Sequence, residues 1–149
     1  MVSASIEQCE GRARHAAAWV GLCLALAIHV ADEALTDFLS VYNPAVRAIR
    51  ERLPFLPLPT FEFETWLAGL IVAVIVLTSL SVFALRGARW MIPASYVFAV
   101  VMFVNGLVHV AGSVETGRAM PGVYSAPLLL LTAGYLIACT RERQRRSTS

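Results

Sequence analysis

The chain has 149 residues, 58% of them hydrophobic and 15% charged, with a mean hydropathy of +0.67. A soluble domain of that length could not hide so much apolar surface, so the composition points to a membrane protein. The formal charge of +2, with all twelve basic residues Arg, is too small for a nucleic-acid binder, and no aromatic–basic interleaving supports one.

The first apolar segment spans about 16–39. Arg12 and Arg14 precede it, as in a signal peptide, but His29, Asp32 and Glu33 follow where a small-x-small cleavage site would stand. The segment is therefore expected to remain as a membrane helix. His15, beside Arg14, is expected on the cytoplasmic surface.

Asn43-Pro44 should open a short interfacial helix, with Pro in its first turn and Arg47, Arg50, Glu51 and Arg52 on a polar face. Pro54, Pro57 and Pro59 then forbid its continuation. The second apolar segment, about 64–85, is long enough to cross roughly 30 Å of hydrocarbon and has no internal charge. The link RGAR is so short that the next segment, about 90–114, must be its antiparallel neighbour. A Gly/Pro turn, ETGRAMPG, leads to the fourth segment, about 123–140, and RERQRRSTS (141–149) reads as a solvated basic tail.

The expected fold is all-α, a single domain over 1–149. It is a four-helix transmembrane bundle with a short interfacial helix between helices one and two, since only helices satisfy their backbone inside lipid. With the N-terminus inside, Arg12, Arg14, Arg86, Arg89, Arg141, Arg143, Arg145 and Arg146 lie on the cytoplasmic side. Arg47, Arg50, Arg52 and Arg118 lie outside. Eight against four places both termini in the cytoplasm of a multi-pass protein of the inner (plasma) membrane. Cys9, Cys23 and Cys139 form no C-x-x-C pair and are expected neither in a disulfide nor at a metal.

Under this topology the polar residues collect at one depth, and the cytoplasmic half has no comparable set. His29, Glu33 and Asp37 stack four residues apart with Asp32 beside them, and Asn105 and His109 repeat the spacing on helix three. Two such faces opposed give two imidazoles, a carboxylate and an amide in one cavity. A carboxylate at membrane depth costs at least about 2.5 kcal/mol, so it needs a partner, water, a proton or a metal. Asp37 also suits a solvated interface. Glu62 and Glu64 suit the start of a helix as dipole partners. Glu64, just before Trp66, is the better site candidate of the two. Glu115 reads as a loop charge paired with Arg118.

HVADE (29–33) fits H-x-x-acid-E, NGLVH (105–109) fits N-x-x-x-H, and RAMPGVYSA (118–126) contains a Pro-Gly turn of the Y-x-P-G kind. In this order the three motifs resemble the HXXEE family of small bacterial integral membrane proteins, from helix one to the start of helix four. The resemblance implies a four-helix membrane protein and draws attention to Pro121 and Gly122. Asp32 stands where the family usually has Glu, and Ala119 replaces the Tyr. The family has no settled biochemical function.

Three functions compete. The first is an intramembrane enzyme acting on a lipid-like or small apolar substrate, with His29, Asp32, Glu33, Asn105 and His109 as catalytic candidates. Its metal version uses His29, Glu33 and His109 as ligands to a divalent ion such as zinc and leaves one position for water. The second is a proton, cation or small-molecule transporter or binding protein. The third is an accessory or structural membrane protein in which the polar groups are helix clasps. The partners expected are the lipid bilayer and a lipid-like or small-molecule ligand, and no nucleic acid.

Overall fold

The computed structural model describes residues 2–148, and side chains from 9 to 146. The described residues are helical with no strand: α1 Val2–Leu35, α2 Leu39–Arg52, α3 Phe63–Ser79, α4 Ser81–Leu85, α5 Met91–Thr116 and α6 Ala126–Thr148. Three stretches are long and apolar enough to cross a membrane: Cys9–Leu35, Phe63–Leu85 and Met91–Thr116. The pattern is that of a membrane protein.

The core is a seam between α1, α5 and α6. On α1 the buried side chains recur every three or four residues, at Trp19, Leu22, Cys23, Leu26, His29, Val30 and Glu33, as one face of a helix requires. Met91, Phe98 and Ala99 of α5 and Leu129, Ala133 and Leu136 of α6 fill the other side. α3 stands at the edge and buries only Trp66. Its exposed Ile71, Val72, Ile75 and Val76 suit lipid, not water. The Trp19 indole donates to the Leu77 carbonyl at 2.9 Å and ties this outer helix to α1.

Several boundaries differ from the sequence expectation. α1 starts well before residue 16 and stops at Leu35, not 39. Thr36 Oγ1 donates to the Asp32 carbonyl, and Asp37 takes a left-handed conformation (φ 57°), which together end the helix. α2 begins at Leu39, so Pro44 lies inside the helix and not in its first turn. α6 runs through the predicted solvated tail. Glu142 pairs there with Arg14 of α1 at 3.2 Å and with Arg146 one turn on. Ser149, the end of that tail, lies outside the described residues. The charge-free part of α6, 126–140, is only about 22 Å long, and α6 is not among the three long apolar spans.

His15 is a correction. It is fully buried and bonds through Nε2 to Ser95 Oγ at 2.9 Å. Arg143 donates to its Nδ1 at 3.0 Å and to the Gly87 carbonyl at 2.6 Å. The end of the molecule expected to lack a polar cluster therefore holds one. The reason is length: α1 extends back past His15, which then meets α5 and α6 instead of solvent.

Candidate metal centre

The other polar cluster sits where α1, α5 and the turn before α6 converge. His29 and Glu33 share the inner face of α1 at a four-residue spacing, and His109 comes from α5. They are 1%, 5% and 4% exposed, which leaves water no direct access. The imidazole centroids lie 4.8 Å apart in an edge-to-face pair. Glu33 Oε1 lies 3.1 Å from His109 Nε2 and 3.6 Å from His29 Nε2. The three donor atoms all fall within 4.8 Å of one another.

The hydrogen bonds around the cluster fix where the protons are. His109 Nδ1 faces the Pro121 carbonyl at 2.5 Å, and a carbonyl can only accept. His109 therefore carries a proton on Nδ1. Ser125 Oγ donates its one proton to Asp32 Oδ2 at 2.7 Å, with the Gly122 carbonyl at 3.2 Å as the other acceptor. His29 Nδ1, 2.8 Å from that hydroxyl, must then be the donor. In its neutral form each ring then presents an unprotonated Nε2 toward Glu33. His29 Nε2 has no hydrogen-bond partner.

The Pro-Gly turn explains itself at this point. Pro121 supplies the carbonyl that orients His109. Gly122, at φ +82°, brings bare backbone between the rings: a Cβ there would lie 2.9 Å from His109 Cε1 and 3.0 Å from His29 Cε1. Asp32 caps α6, since it also accepts from the Ser125 backbone N–H at 2.8 Å, where a carboxylate suits the helix dipole.

Phe38 forms a roof. The left-handed Asp37 turns the chain so that Phe38 meets His109 and stacks on Trp66, each at 5.7 Å between centroids. Tyr42 stacks on the same ring at 5.4 Å.

Of the residues singled out from sequence, the structure brings together His29, Asp32, Glu33, His109, Pro121 and Gly122, and Asn105, its Oδ1 buried without a hydrogen-bond partner, stands one turn before His109 on α5. It does not bring Glu64, which is exposed in the first turn of α3. Asp37, Glu62 and Glu115 are exposed too. Ser125 and Phe38 were not foreseen. Ser125 had a signal, since Ser before Ala-Pro marks a helix start.

A family model described as "Protein of unknown function with HXXEE motif" matches residues 19–137. Neither the curated proteins nor the solved structures gave a match.

Proposed function

We propose that this chain, which belongs to the HXXEE family, is a four-helix transmembrane protein that binds one divalent transition metal, zinc foremost, between His29, Glu33 and His109. The carrying observation is that these three buried side chains bring ligand atoms within 4.8 Å of one another. A proton shared between His109 and Glu33 would satisfy those two groups. It would leave His29 Nε2 orphaned at 3.6 Å from the carboxylate, too far for a hydrogen bond. A single cation takes all three.

The geometry suits such an ion. A tetrahedron with bonds of about 2.05 Å has edges of about 3.3 Å. The two donor separations to Glu33, 3.1 and 3.6 Å, bracket that value, while the imidazole pair, at up to 4.8 Å, has to draw together on binding. Charge supports it as well: Asp32 and Glu33 with two neutral imidazoles carry two negative charges, which a dication cancels. Each imidazole also donates its other N–H to a fixed oxygen, the arrangement that orients metal-ligating histidines.

In the bilayer, α1, α3 with α4, α5 and α6 are the four crossings, and α2 lies along the interface with Arg47, Arg50 and Arg52 in solvent. Two histidines and one carboxylate leave a coordination position open, as in catalytic zinc sites. The metal would supply an activated water at that position. Phe38 and Trp66 roof the site, so the fitting substrate is lipid-like or small and apolar. The apolar stretch of α1 between His15 and His29, with Trp19, Leu22 and Leu26 buried, supports a one-sided pocket over a conduit.

Metal analysis tests this reading. Full-length protein purified in detergent without chelator is expected to hold about one divalent ion per chain. His29→Ala and His109→Ala should each lower metal affinity by well over about tenfold. Wild-type protein that takes up no zinc on equilibrium dialysis would end the proposal.

A further inference from the structure

The geometry points to Asn105 as the residue that holds the fourth ligand of this metal, a water molecule, through its carboxamide oxygen. The inference rests on the metal reading above and adds a named acceptor to it.

Among the described residues two buried side-chain polar atoms lack a partner, His29 Nε2 and Asn105 Oδ1. Asn105 stands one turn from His109, whose ring packs edge-to-face on that of His29, so the two orphans belong to one cluster. A buried acceptor left unsatisfied is costly, and two within one cluster call for an occupant. The cation accounts for His29 Nε2. It does not account for the amide. A neutral amide oxygen is a hard donor that suits calcium or magnesium better than a site built on two imidazoles. Asn105 Oδ1 is instead placed to accept a hydrogen from something the cation holds.

Position agrees. Asn105 stands one turn before His109 on α5, so both project from the same face. The next residue, Gly106, seats α5 close against the start of α6: a Cβ there would lie 3.0 Å from Leu130 Cγ and 3.3 Å from the Ala126 carbonyl. That close packing fixes the helix that carries Asn105. Two imidazoles and one carboxylate supply three corners of a tetrahedron, and a water at the fourth has a lone pair for the metal and a hydrogen for Asn105.

Cobalt(II) is the probe, because its visible bands report the number and placement of its ligands. Full-length protein in detergent is loaded with Co(II) as wild type, Asn105→Leu, Asn105→Asp and His29→Ala. Asn105→Leu is expected to bind Co(II) about ten- to hundredfold more weakly, with altered visible bands. Asn105→Asp, which keeps an oxygen acceptor, is expected to bind within about threefold of wild type or more tightly. Asn105→Leu with wild-type bands and affinity overturns the inference. So does a loss as deep as that of His29→Ala, which would make Asn105 a direct ligand. Asn105→Asp no better than Asn105→Leu also overturns it, since packing alone would then explain the effect. Wild-type protein that takes up no Co(II) would instead sink the metal reading itself.

Discussion

Ser125 links two jobs that sequence keeps apart. Its hydroxyl joins His29 to Asp32, and its backbone N–H hangs α6 on the same carboxylate. Ser125→Ala removes the hydroxyl and leaves the backbone bond. His29 Nδ1–H then loses its acceptor, and nothing fixes the ring with Nε2 inward. The expected result is metal affinity lowered about 10- to 100-fold, with Ser125→Thr restoring most of it. Competition against a chromophoric chelator reads the change, and wild-type affinity in Ser125→Ala would mean that packing alone orients His29. The cluster of His29, Glu33 and His109 was legible because these are ionisable groups in apolar sequence at a helical spacing. The Pro121 carbonyl was not, since a backbone acceptor leaves no trace in residue identity. His15 was misplaced because its neighbour Arg14 suggested water, whereas the ring turns inward to Ser95 and only Arg14 reaches out, to Glu142.

The roof depends on how α2 and the extended segment 53–62 are held. Asn43 clamps that segment with both ends of its amide: Nδ2 donates to the Phe61 carbonyl at 2.9 Å, and Oδ1 accepts from the Phe61 N–H at 3.1 Å. Tyr42 adds a bond to the Pro59 carbonyl. Asn43→Ala loses two partly buried bonds at roughly 1 kcal/mol each. Amide exchange over 56–63 is expected to rise by about tenfold or more, while exchange in the α1–α6 seam stays unchanged. Unchanged exchange over 56–63 would assign the fastening to the aromatic stack of Phe38, Tyr42 and Phe61 instead. Apolar length located α3 with α4 and α5 to within two residues, because hydrocarbon-length runs have few alternatives, whereas α1 and α6 run many residues beyond their apolar stretches. Their ends were less legible. The stop at Leu35 turns on a left-handed Asp, and the start of α2 precedes the Pro that seemed to open it.

The two buried polar clusters sit about four turns apart on α1. His15 and His29 are fourteen residues apart, about 21 Å along the axis, and the face between them buries Trp19, Leu22, Cys23 and Leu26. An ion leaving the His29 site toward His15 would shed its ligands into that apolar seam. At the His15 end it would meet the guanidinium of Arg143, which repels it, beside a ring whose two nitrogens are already bonded to Ser95 and Arg143. Metal should therefore enter and leave on the side of α2 alone. On the topology expected from the Arg distribution, that side faces away from the cytoplasm. A membrane-impermeant chelator is expected to strip metal from right-side-out vesicles at least about tenfold faster than from inside-out ones. The reverse preference would invert the topology and keep the one-sided pocket. Equal stripping from both faces would mean that the seam opens, and the buried site would then be a station on a route across the membrane.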